Sequence, residues 1–180
     1  MQTYHKLHLV PFTEYFPYEE QFPGFYNMLL DFDVNLWEPG DEAVIFHLLR
    51  FDFATHICFE DSFPADIRGF VRKGAEVILN LSNDFWSLTE VEAQQHYTNA
   101  LFRTIENRVP MVRSTASGVT AYVDTTGKLR ARLPFYVEGY LVVEVAVPKQ
   151  TTTLYTRWGD WFPYALMVLL LLLPVGYALY

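Results

Sequence analysis

From Trp161 to Tyr180 the chain reads WFPYALMVLLLLLPVGYALY, twenty residues without a charge. As an α-helix rising 1.5 Å per residue, about 20 residues span roughly 30 Å, the thickness of a bilayer's hydrocarbon core. A helix apolar on every side has no stripe to turn toward water, so it belongs in lipid or inside a large core. Trp158, Trp161 and Tyr164 at its start, and Tyr177 and Tyr180 at its end, stand where interfacial aromatic belts stand. The pattern predicts a membrane helix over 161–180, with a buried core helix as the alternative.

Ahead of that run the apolar pattern alternates between strand and helix. Tyr4 to Val10 reads as a strand closed by Pro11. Glu14 to Trp37, aromatic and proline-rich, reads as a covering loop with a short helix around Phe25 to Leu30. Ala43 to Leu49 and Arg50 to Cys58 read as paired strands. Phe63, Ile67, Phe70 and Val71 fall at helical spacing within Phe63 to Lys73, and Gly74 stops that helix. Glu76 to Leu81 is a short apolar run suited to a strand buried on both faces. Thr89 and Glu92 make a capping box for a helix reaching Arg108, with Pro110 just beyond. Met111 to Thr115, Val119 to Asp124 and Tyr140 to Val147 read as strands, with a turn at Thr125-Thr126-Gly127-Lys128. This succession specifies an α/β layered sheet. The expected organisation is a domain over 1–150, a linker over 151–160 and the membrane helix over 161–180.

Composition narrows the chemistry. The net charge is −8, from 21 acids against 13 bases, and Lys and Arg form no cluster. A nucleic-acid partner requires a basic footprint, so that class is excluded. A single cysteine rules out an intrachain disulfide and argues against a zinc-thiolate site. Met1 to Lys6 has no signal-peptide character, and the chain enters a strand-like segment almost at once, as though it began in the middle of a fold.

That one cysteine, Cys58, ends an apolar strand and runs into acids: Ala54-Thr55-His56-Ile57-Cys58-Phe59-Glu60-Asp61. A nucleophile at a strand-to-helix turn projects its side chain while its neighbours stay packed, and the turn's backbone N–H groups can hold an oxyanion. A free thiol is only a few per cent thiolate at neutral pH, so it needs a cation or base nearby. Lys6 is the leading cation, and Glu14 and Glu60 are the carboxylates that could orient it or shuttle a proton. For Glu60 and Asp61 the alternative is a helix-start cap. Asn83, Asp84 and Trp86 follow the strand Glu76 to Leu81. Ligands of open α/β sheets bind beyond the strand carboxyl ends, so this loop and Cys58 should share a rim. The five histidines, His5, His8, His47, His56 and His96, have no zincin or deaminase spacing and read as structural, the alternative being a Cys–His dyad of Cys58 with His96 or His56.

The segments KLHLVPFTEYFP, ICFEDSFP, ILNLSNDFW and QQHYTNALFRTIENRVPMVRSTASGVTAYVDTTGKL, followed by the Trp158-to-Tyr180 helix, closely resemble the C-terminal half of the apolipoprotein N-acyltransferases. These are a membrane-embedded branch of the nitrilase (carbon–nitrogen hydrolase) superfamily. The resemblance implies the C-terminal part of an α-β-β-α sandwich followed by one transmembrane helix. It makes Cys58 the acyl-accepting nucleophile, Lys6 the catalytic lysine and Glu14 a supporting glutamate. Phe59 and Glu60 match the two positions after the nucleophile, with the Phe59 N–H in the oxyanion hole; Asn83 and Trp86, nominated by their place on the rim, would then face the substrate. The implied reaction moves a fatty acyl chain from a phospholipid to Cys58 as a thioester, then to the N-terminal cysteine amine of a lipoprotein. No metal or diffusible cofactor is implied.

The family's general-base glutamate lies upstream of the lysine and would precede Met1. The resemblance therefore describes a fragment, a split gene product or a degenerate remnant, whose N-terminal half would lie in frame upstream or be separately encoded, in a bacterial inner membrane with the catalytic part on the periplasmic face. The alternatives are a membrane-tethered nitrilase-like amidase with water as acceptor, and an inactive remnant with a structural or interaction role.

Overall fold

The structure, a computed structural model, describes residues 2–31, 36–87, 89–149 and 152–178, with side chains described as far as Leu172. The chain divides into two compact units, Met1–Val44 and Ile45–Tyr180.

In the first unit the expected strand Tyr4–Val10 does not form. Its backbone turns instead: the Glu14 N–H donates to the Val10 carbonyl at 2.9 Å, and the Gly40 N–H to the Lys6 carbonyl at 2.7 Å. Gly40 permits that approach, because a Cβ there would lie 2.5 Å from the His5 carbonyl oxygen. Helix α1, Pro23–Asp31, covers the short helix expected there, and none of its residues is buried. Phe16 is the buried centre of an aromatic group, with ring centroids 6.1 Å from Phe12, 6.2 Å from Tyr18 and 5.3 Å from Phe25.

The second unit holds one six-stranded sheet: β1 (Phe46–His47), β2 (Asp52–Ile57), β3 (Val77–Ser82), β4 (Met111–Thr115), β5 (Ala121–Val123) and β6 (Leu129–Arg132), side by side in chain order. Strands β2, β3 and β4 are parallel; β1, β5 and β6 are antiparallel to their neighbours. Helices α2 (Pro64–Arg72) and α3 (Glu90–Asn107) connect the parallel strands. Ile67 and Val71 of α2 and Ala100 of α3 pack with Ile78, Val109 and Met111 as one buried cluster. Tyr97, Val119, Ala121 and Val123 form a second. The other sheet face is thinly covered: Phe53, Ile57, Leu79 and Val112 are half-buried, and Leu81 is 52% exposed.

The capping box at Thr89 is realised in half: its side chain accepts from the Glu92 N–H at 3.3 Å. The turn at 125–128 forms because Asp124 organises it, accepting from the Thr126 and Lys128 N–H groups and pairing with Arg130. That hairpin creates β6, absent from the sequence expectation. Tyr140–Val147, by contrast, is not a strand. Its side chains alternate in exposure as the pattern requires, but the segment joins no ladder.

Within the expected linker, α4 (Leu154–Trp158) forms and docks on the domain. Arg68 of α2 donates to the Tyr155 and Thr156 carbonyls at 2.9 and 3.0 Å, adding a side-chain donor at the carbonyl end of that helix. The expected span 161–180 is helical over Trp161–Ala178, here α5; 179 and 180 lie outside the described residues, as do the side chains beyond Leu172. Among the described residues no helix is long and apolar enough to cross a membrane. From Trp161 to Leu172 the helix nonetheless presents its side chains uncovered by the rest of the chain, Leu171 at 73% exposure.

Candidate active site

The sheet register sets the site. Ile57 pairs with Leu81, and Leu81 with Ser114, so β2, β3 and β4 end on one rim. Cys58 and the Asn83–Trp86 loop both leave from it, as expected for adjoining carboxyl ends. One residue pair below the rim, His56, Asn80 and Arg113 stand in register across the three strands, and all three are buried. A row of polar side chains therefore lies inside the sheet directly beneath the turn that carries the thiol.

Cys58 itself opens a 3₁₀ turn, Cys58–Ser62, with φ of 57°. That left-handed conformation costs an L-residue roughly 1–2 kcal/mol, and strained nucleophile turns use such geometry to lift a side chain clear of the sheet. Two contacts hold it. The Asn80 amide Nδ2 donates to the Cys58 carbonyl oxygen at 2.8 Å, and the Ile57 N–H donates to Glu60 Oε2 at 2.7 Å. Glu60 is thus a buried cap of its own turn, which is the alternative that the sequence left open for it. The Cys58 side chain is half-buried, and Phe59 packs its ring against Phe63 at 5.2 Å.

Asp61 closes the same turn and begins a buried ionic chain. It pairs with Arg113 through one oxygen and with His96 Nε2 through the other, at 2.9 Å. His96 Nδ1 lies 3.1 Å from Asp84 Oδ1, which also accepts from the Ser82 hydroxyl at 2.7 Å. Burial opposes a charged His96, but its hydrogen bonds to Asp61 and Asp84 and the Asp61 charge outweigh it and raise its pKa to about 10. Burial likewise works against an ionised Asp84, and is outweighed by His96, Ser82 and Arg113, which hold it below the usual carboxylate range. His56 behaves oppositely: burial lowers it to about 4, the Asp61 charge offsetting only part of this. Its ring meets Phe70 edge-on at 4.6 Å. Gly118 packs against the chain's far end, where a Cβ would lie 1.9 Å from Asp84 Oδ2.

Neither a structural His96 nor a Cys58–His96 dyad, and neither a capping nor a catalytic Asp61, anticipates this network. Its signal was present in part: His96 shares a helix face with Ala93, Tyr97 and Ala100, all buried, and a histidine on such a face needs partners. Asp84, Glu92 and His96 each bring a ligand atom within 4.8 Å of the others. Both ring nitrogens of His96 already face carboxylates, and we assign no metal there.

In the first unit, Lys6 is buried and its Nζ donates to both Glu14 oxygens, at 2.7 and 2.6 Å. Glu14 Oε2 also accepts from the Val10 N–H at 2.7 Å, so the loop closes around the pair. The two residues nominated together are therefore joined. On the rim, Asn83 is exposed and accepts from the Phe85 N–H at 3.1 Å, and Trp86 is 71% exposed in the 3₁₀ turn Phe85–Ser87. A cleft of about 660 Å³ lies along β4 and the 133–143 segment, and its lining does not include Cys58.

The carbon-nitrogen hydrolase family profile matches residues 1–155. The chain is 43% identical over 172 residues to apolipoprotein N-acyltransferase 1 of Treponema denticola, covering 95% of this chain and 32% of that protein. It is 36% identical to the apolipoprotein N-acyltransferase of Borreliella burgdorferi, covering 94% of this chain and 32% of the relative. The chain thus spans about a third of the length of these curated relatives. Among solved structures it resembles a mutant of the Nesterenkonia amidase of the nitrilase superfamily, with TM-score 0.51 and 16% identity over 75% of this chain and 47% of that one. The carbon-nitrogen hydrolase of Helicobacter pylori gives 0.50 and 17% over 57% and 43%. At such identities the likeness is one of fold.

Proposed function

The chain belongs to the carbon-nitrogen hydrolase family, and from that premise we propose that it carries the nucleophile-bearing part of an apolipoprotein N-acyltransferase. The observation that carries this reading is similarity to enzymes of that name along 95% of the chain, with its one thiol set in a strained turn at a strand end. In this reading the Cys58 thiolate attacks the ester carbonyl of a phospholipid, and the tetrahedral oxyanion is met by Lys6 and the Phe59 N–H. Collapse expels the lysophospholipid alkoxide, which takes up a proton, and leaves a thioester on Cys58. The amine of a lipoprotein's N-terminal cysteine then attacks the thioester, forming an amide and returning the thiol. Glu14 grips Lys6 Nζ through both carboxylate oxygens and keeps it in place, so that its contact with the developing oxyanion favours the transition state over the ground state. Glu60 positions the turn; Asn83 and Trp86 border the incoming chain. The general base comes from the remainder of the enzyme, outside the third represented here.

Residues 1–150 act as the partial hydrolase domain, 151–160 as the linker and 161–180 as a helix seated in the bacterial inner membrane with the catalytic part on the periplasmic face. The uncovered apolar side chains from Trp161 to Leu172 support the seating of that helix in lipid, since such a surface is costly in water. The half-covered sheet face with Ile57, Leu79 and Leu81 supports a second sheet packing there, as a sandwich requires. The test is to supply the remainder of the enzyme with this chain in proteoliposomes containing phospholipid and a diacylated lipoprotein. Mass spectrometry should find a third acyl chain on the lipoprotein. Free fatty acid with an unchanged lipoprotein would instead indicate an amidase-like hydrolase using water.

A further inference from the structure

His96 sits on α3 between two carboxylates from different elements, Asp61 at 2.9 Å from Nε2 and Asp84 at 3.1 Å from Nδ1. Carboxylate oxygens only accept, so both ring nitrogens can be satisfied at once only if both carry a proton. Arg113 on β4 pairs with Asp61, which gives two buried cations against two buried acids. Glu92, one turn before His96 on α3, is the remaining acid within reach. The balance is tight: neutralising either cation leaves Asp61 and Asp84 facing one positive charge in a site with almost no solvent, which is strongly unfavourable.

Asp61 is three residues beyond Cys58, in the same 3₁₀ turn. Its contacts therefore hold the far end of the turn, as Asn80 holds the near end. We propose that His96 is a positioning residue for Cys58: as an imidazolium donating one N–H to Asp61 and the other to Asp84, it ties the nucleophile's turn to the β3 loop and holds the left-handed conformation that presents the thiol. This rests on the reading of Cys58 as the nucleophile. The network also explains why Gly118 is a glycine, since Asp84 occupies the space a side chain there would need.

The lone thiol makes the test specific. The full chain in detergent micelles is labelled at Cys58 with iodoacetamide and followed by intact mass, while ¹⁵N NMR reads the His96 ring nitrogens. Both nitrogens should carry protons at pH 8. His96→Gln should slow labelling about tenfold, the size of effect that coupling between contacting charged groups produces. Asp84→Asn combined with His96→Gln should recover most of that loss by restoring charge balance, which a purely space-filling histidine would not allow. A neutral His96 at pH 8, wild-type labelling in His96→Gln, or no recovery in the double variant overturns the proposal. If His96→Gln does not fold, the ring titration in Asp84→Asn decides: a lowered ionisation supports the proposal and an unchanged one overturns it. Iodoacetamide needs only a presented thiol. The expected labelling pattern without acyl transfer from phospholipid would therefore count against the acyltransferase reading alone.

Discussion

The Asn80 side-chain amide donates to the Cys58 carbonyl oxygen at 2.8 Å, joining the middle strand of the parallel trio to the first residue of the nucleophile's turn. Asn80 is fully buried, one strand over from His56 and one from Arg113. Its place in the sheet therefore fixes the backbone of a residue 22 positions earlier. Asn80→Leu should leave that carbonyl without its donor and cost about 1–3 kcal/mol. Denaturant unfolding would register the loss as a lower midpoint, and iodoacetamide labelling of Cys58 should change with it. An unaltered midpoint would mean that the bond contributes nothing to the turn.

Stability should fall on both sides of neutrality, for separate reasons. His56 is lowered to about 4 in the folded state, so its stabilising effect is complete above its unfolded pKa near 6.5. It is lost as pH falls from 6.5 toward 4, where the unfolded chain binds a proton that the folded chain refuses; the loss is on the order of 3 kcal/mol. His96 is raised to about 10, so its contribution is complete below 6.5 and declines as pH rises toward 10. Melting temperature against pH should show both limbs. His56→Phe should flatten the acid limb and leave the alkaline one in place.

Gly118→Ala probes the end of the buried chain. A methyl group there would lie 1.9 Å from Asp84 Oδ2, so the carboxylate must move and its contact with His96 must lengthen. The expected cost is about 1–3 kcal/mol, typical of an added methyl in a filled site. Equilibrium unfolding checks it, and the His96 ring titration should shift downward in the same variant.

Much of the fold is legible in the sequence, for reasons particular residues make plain. Ile67, Phe70 and Val71 mark the buried face of α2, and Thr89 with Pro110 brackets α3 within a residue or two of its bounds. The rim shared by Cys58 and Asn83 follows from counting strand ends. Tyr4–Val10 and Tyr140–Val147 fail as strands because alternation describes a half-buried surface and not a partner, and a strand needs a neighbour to complete its hydrogen bonds. The Lys6–Glu14 pair is legible because the two stand only eight positions apart in the chain. The Asp61–His96 contact crosses 35 residues and two elements, a distance at which periodicity carries no information.

The central claim is that Cys58 carries the acyl group, and the most direct measurement is intact-mass spectrometry of this chain, with the remainder of the enzyme supplied, after incubation with phospholipid. A single fatty acyl adduct that hydroxylamine removes should appear on the wild-type chain and be absent from Cys58→Ala, which has no other thiol. Lys6→Ala should slow its appearance by about 10²–10³, the usual effect of losing one oxyanion donor. No adduct on the wild-type chain, with both parts folded and associated, would contradict the account.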